Sequence, residues 1–109
     1  MGLDIEFVRR KKTVCPECGA TVGHTDVDYV GSGGRVWYSF LEPIGYYVPY
    51  DKRTEENNWY GKDMILAPEQ ARYAHRFAQE NDVYNGHKIA ELIATAAYED
   101  DAVVIRADW

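Results

Sequence analysis

The sequence predicts an α+β fold with a small antiparallel sheet, and three observations predict it. Period-two alternation occupies the first third of the chain. Two apolar stripes at helical spacing lie beyond Pro68, and a short apolar run, Ala102–Ile105, comes last. Strands, then helices, then a strand, without an internal repeat, argue one mixed domain spanning residues 1–109.

The elements follow in order. Leu3, Ile5 and Phe7 alternate with Asp4 and Glu6, which is strand period. The basic run Arg9-Arg10-Lys11-Lys12 follows, then the stretch Val14-Cys15-Pro16-Glu17-Cys18-Gly19. Residues 20–30 alternate again through Val22, Val27 and Tyr29, and Gly31-Ser32-Gly33-Gly34 reads as a turn. These pieces predict a hairpin bent at the cysteines and closed by glycines. In residues 35–50 the spacing of Val36, Trp37, Phe40, Leu41 and Ile44 predicts a short helix, which Pro43 and Gly45 interrupt. An extended stretch, Tyr46–Tyr50, is expected next, then a polar surface loop from Asp51 to Lys62.

Pro68 opens the clearest helix, at a first-turn position where a missing N–H costs nothing, with Glu69 suited to the positive helix end. Ala71, Ala74, Phe77 and Ala78 form its stripe through about Glu80. Asn81-Asp82 and Asn85-Gly86 punctuate. A second helix, about His87 to Tyr98, buries Ile89, Leu92, Ile93, Ala96 and Ala97. Ala102–Ile105 reads as a strand inside the sheet.

Charge and compartment narrow the function. The net charge is −6. Residues 1–23 carry four cations (Arg9, Arg10, Lys11, Lys12) against Asp4, Glu6 and Glu17, a balance of +1, so residues 24–109 carry −7. Broad binding to phosphate needs the opposite sign. An acidic surface suits a partner with a basic face. No apolar run approaches the roughly 20 residues that span a bilayer. The first ten residues lack an apolar signal core, so the cytoplasm is the expected compartment. Close cysteines there serve as thiols or metal ligands rather than as a disulfide.

The CPECG stretch is half of a zinc-binding pattern. Two thiolates two residues apart can bind one metal while backbone N–H groups turn toward the sulfurs; Pro16 stiffens the turn and Gly19 permits a positive φ after it. Zinc then requires two further ligands. His24 is the nearest donor, and Asp26, His75, His87 or a second chain in a homodimer are the others. The competing readings are a plain turn with two small thiols, and a redox pair that lacks the expected following helix. The zinc deaminase pattern fails, because no H-x-E precedes the cysteines. Neither a nucleophile elbow nor a phosphate-binding loop is present.

Trp37, Tyr38, Phe40, Tyr46, Tyr47, Tyr50, Trp59 and Tyr60 crowd into residues 37–60. Most are expected in the core. Trp59 and Tyr60 stand among Glu55, Glu56 and Asp63, a setting typical of interface anchors. Asp26 and Asp28 on one strand, and Glu99, Asp100 and Asp101 before the last strand, read either as solvated charge or as an acidic docking face.

The opening Met1-Gly2-Leu3-Asp4-Ile5, the small size and the CPxCG knuckle together resemble small phage and prophage proteins. The resemblance covers the first strand and the knuckle, not the aromatic middle or the helices. It implies a mobile-element origin and carries over no catalytic residue. Small acidic phage proteins include inhibitors of host defence such as anti-CRISPR proteins, some of them DNA mimics; this is an analogy of class.

The expected function is non-enzymatic. An acidic module docks through Trp59, Tyr60, Glu55, Glu56, Asp26, Asp28, Glu99, Asp100 and Asp101 on a basic, nucleic-acid-handling protein and blocks it. Zinc on Cys15, Cys18 and His24 is the expected cofactor. The rivals are a zinc-knuckle nucleic-acid binder using Arg9–Lys12, and a metal-dependent enzyme with an open coordination position.

Overall fold

A computed structural model describes residues 3–109, so Met1 and Gly2 of the opening motif lie outside the described residues. Strand β1 (Asp4–Val14) turns through the cysteines into β2 (Thr21–Gly33). A 3₁₀ turn at Arg35–Trp37 leads into the short helix α1 (Tyr38–Leu41), and a second 3₁₀ turn lies at Tyr50–Lys52. Strand β3 (Met64–Ile65), helices α2 (Pro68–Glu80) and α3 (Gly86–Glu99) and strand β4 (Ala102–Asp108) complete the chain. The strands form one antiparallel sheet in the order β2-β1-β4-β3. This is the expected α+β architecture with two C-terminal helices.

Strand period decides which residues meet the helices. Leu3, Ile5 and Phe7 share one sheet face with Val103, Ile105 and Ala107, and all six are buried in the core cluster. The stripes of α2 (Ala74, Phe77, Ala78) and α3 (Ile89, Leu92, Ile93, Ala96) pack on that face. Trp37 sits at the centre, fully buried, with ring centroids 5.3 Å from Phe7, 5.2 Å from Phe77 and 5.8 Å from Phe40. Its indole N–H donates to Ser32 Oγ at 3.0 Å, and that hydroxyl donates to the Tyr84 carbonyl. The buried indole is thereby satisfied, and β2 is tied to the α2–α3 turn.

Gly86 shows why that turn needs glycine. A Cβ there would stand 2.8 Å from the Ala78 carbonyl oxygen and 2.9 Å from Val83 Cγ2. Only glycine lets α3 start this close to the end of α2.

The segment Tyr46–Tyr50, expected to be extended, opens with a bend at Tyr46 and enters a 3₁₀ turn at Tyr50. Gly45 takes a φ of 81°, and the Tyr46 and Tyr47 N–H groups both donate to the Leu41 carbonyl. This carries Tyr46 into the core. Its hydroxyl accepts from the Ala107 N–H at 2.8 Å and donates to the Lys62 carbonyl at 2.6 Å. Burial raises the phenol above its ordinary pKa.

Tyr46→Phe leaves the buried Ala107 N–H without its acceptor, so unfolding in urea is expected to show a loss of about 1–3 kcal/mol. Tyr60→Phe, at an exposed position, is expected to change stability by less than about 0.5 kcal/mol.

Candidate functional site

The helices cover one face of the sheet only. On the other, by register, stand Asp4, Glu6, Val8 and Arg10 of β1, Val104, Arg106 and Asp108 of β4, Tyr29 of β2 and Ile65 of β3. Among the described residues no helix packs there: Val8 and Val104 are buried yet stand outside the core cluster. The roof over them is ionic. Asp63 accepts from Arg106 Nε at 2.6 Å and from Arg10 at 3.3 Å, and Arg10 Nε also donates to Asp26 at 2.7 Å. The register sets Arg10 and Arg106 on the same face as Val104, one on either side of it along the strands. Beside this roof Tyr29 is 70% exposed and Ile65 62% exposed.

At the other end of the same face the surface turns acidic. Asp4 and Asp108 are directly opposite across the β1–β4 ladder, and with Glu6 and Arg106 they edge a hollow of about 800 Å³. Like charges placed opposite each other in a sheet are destabilising. A cation from outside would relieve them.

Beyond Arg10 the hairpin leaves the sheet. β4 pairs with β1 only from Asp4 to Arg10, so Lys11–Val14 pair with β2 alone and form an arm. A register shift at Arg9/Arg10 leaves Val27 as an unpaired extra residue, a bulge that twists the arm. The cysteine turn caps it. Cys15 N–H donates to the Ala20 carbonyl at 2.8 Å, and Gly19 N–H to the Cys15 carbonyl at 2.9 Å, with Gly19 at φ 74°. The Cys18 N–H, the Glu17 N–H and then the Cys18 side chain are held toward the Cys15 sulfur and draw its thiol below the ordinary pKa. The CPECG stretch therefore forms a tight turn with its two cysteines near each other. His24 lies across from Lys12 on the arm. Among the described residues no group of three or more His, Cys, Asp or Glu side chains gathers where one ion could sit, so His24 is not brought into a cluster with the two cysteines.

The remaining predicted site residues separate. Asp101 is an internal ion-pair partner: its side chain is 3% exposed and takes Arg9 at 2.7 Å. Arg9 Nε is buried without a partner among the described residues. Asp100 is exposed and caps α3 in the left-handed region at φ 57°; Glu99, also exposed, ends the helix. Asp28, exposed on β2 across from Arg9, accepts from the Tyr29 N–H. Glu55 and Glu56 are exposed on the loop before β3. In that loop Trp59 is half-buried and stacks on Tyr46, while Tyr60 meets the Trp109 ring edge-on at 4.9 Å. Trp59 thus extends the core, and Tyr60 keeps an exposed flank. The predicted acidic residues do not converge on one face. Tyr29, Ile65, Asp4, Glu6 and Asp108 do share one, and the period-two alternation of β1 and β2 was the signal for three of them.

His75 is half-buried beside a cleft of about 850 Å³ between α2, α3 and the start of β4. Leu66, Ile93 and Val103 line it with apolar surface, and Arg72, Arg76 and Lys12 stand at its mouth. His87 is exposed at the start of α3.

Comparison with known proteins found no matching family model, no similar curated protein and no similar solved structure.

The Asp63 carboxyl is held below the usual carboxylate range, chiefly by the Arg106 hydrogen bond and then by Arg10, against opposing burial. A depressed folded-state pKa contributes stability above the unfolded carboxylate pKa, near 3.9, and loses it as pH falls through the folded value. The pair is solvent-screened, so Asp63→Asn is expected to cost less than about 1 kcal/mol at pH 7. Denaturation curves at pH 7 and pH 3 should show the gap between wild type and variant closing in acid.

Proposed function

We propose that this chain is a non-catalytic protein-binding module that docks through the uncovered sheet face. The observation that carries the reading is the combination of Tyr29 and Ile65, both largely exposed, with the facing carboxylates Asp4 and Asp108 on the same face. Exposed aromatic and aliphatic side chains ringed by polar groups are the anatomy of an interface. The like-charged cross-strand pair selects a partner that brings cations.

The partner is therefore a protein with a basic surface. In this reading that surface ordinarily holds nucleic acid, and the module occupies it in competition. The net charge of −6 and the acidic end of the face support this, as does the resemblance of the opening to phage-type proteins. Direct nucleic-acid binding through residues 9–12 is less favoured. Arg9 is committed to Asp101, and Arg10 to Asp26 and Asp63, which leaves Lys11 and Lys12 as the unpaired cations of the run among the described residues.

The test is affinity capture from cells that carry this chain, with wild type, Tyr29→Ser/Ile65→Ser and Asp4→Lys/Asp108→Lys as baits. The expected result is a basic protein held by wild type, lost from both double variants and released by added nucleic acid. A captured protein that ignores both double variants, or that binds nucleic acid and this chain together, would contradict the reading.

A further inference from the structure

The cysteine turn plays no part in the docking face, yet it holds two thiols near each other, two donors of the kind that zinc takes. The turn is set by two backbone hydrogen bonds, Cys15 N–H to Ala20 O and Gly19 N–H to Cys15 O, and by the positive φ of Gly19. Cys18 is exposed and Cys15 half-exposed, so both sulfurs can be reached from outside. The knuckle stands at the tip of an arm that extends past the end of β4, remote from the helices and the core. A tetrahedral structural zinc takes four donors. The described residues gather no third donor around the two thiols, and His24 is the nearest histidine in sequence without forming a cluster with them.

A second copy supplies what is missing. Two-fold symmetry brings an identical Cys15–Cys18 pair opposite the first, which is the self-complementary contact of a cyclic dimer. Charge also closes. A zinc ion on four thiolates carries two negative charges, since four thiol protons leave to solvent and the metal brings two positive charges. On each arm Lys11 and Lys12 against Glu17 leave one positive charge, so two arms supply two.

We infer that two copies of this chain join arm tip to arm tip through one zinc ion held by Cys15 and Cys18 of each. The knuckles form the bridge, and the open sheet face of each copy stays free for partners.

The experiment is metal content by mass spectrometry together with solution mass by light scattering. It uses the full chain expressed in zinc-supplemented medium and purified under reducing conditions. The expected result is one zinc per two chains in a particle of twice the chain mass, which a strong chelator converts to monomer. Cobalt(II) in place of zinc should give the visible absorption of a tetrahedral tetrathiolate. Cys15→Ser and Cys18→Ser should each be monomeric and metal-free, with the unfolding midpoint of chelator-treated wild type, because the arm tip lies outside the core. One zinc per monomeric chain, a metal-free chain, or a dimer that persists in both serine variants would overturn the inference.

Discussion

β1 has neighbours on both sides for only part of its length. From Asp4 to Arg10 it is flanked by β2 and β4; from Lys11 to Val14 it has β2 alone. The first part is the centre of a sheet, and its alternate residues can be buried. The second is a bare ribbon, and its residues are exposed almost throughout. Two helices of 13 and 14 residues, each with one apolar stripe, then suffice to cover one face of the paired region and no more. A covered core, an open sheet face and a projecting arm all descend from that mismatch of strand lengths.

Arginine secures the boundary between these parts. Arg9 reaches the nearly buried Asp101 at the α3–β4 corner and fixes the base of the arm to the helical layer. Arg10 and Arg106 close on Asp63 over Val104, so the open face has a small apolar floor under a charged roof. Such exposed pairs add little stability each. They tie the guanidinium groups of Arg10 and Arg106 to Asp63, and Tyr29 and Ile65 stay exposed on the same face. The edge of β2 is managed in a similar way. Asp28 takes the Tyr29 N–H, and Asn85 donates to the Gly31 carbonyl, which blunts the strand near the core.

Much of the fold was legible in the sequence because period and punctuation agreed. Pro68 and Glu80 mark the observed limits of α2, and the cysteine turn joins the hairpin as expected. The last strand runs past Ile105 to Asp108, because Arg106 and Asp108 alternate with buried Ala107 in a way that four apolar residues in a row had masked. β3 has two residues and no period to detect. The site was less legible. Trp59 stands among charges in the sequence but stacks on Tyr46 in space, and Asp26 and Asp101 are consumed by Arg10 and Arg9 across 16 and 92 residues. A charge run discloses its sign but not its long-range partners. Likewise the open face depends on which strands pair with β1, and alternation alone does not say that helices will cover one side only.

The most direct test of the docking face compares two exposed tyrosines on opposite sides of the molecule. Tyr29 lies on the uncovered face, and Tyr98, 88% exposed, lies on α3. Each is replaced in turn by a photo-crosslinking phenylalanine derivative, and the chain is irradiated in cells that carry it. Position 29 is expected to give one discrete adduct with a basic protein, and position 98 none. The same adduct from position 98, or no discrete adduct from position 29, would contradict it.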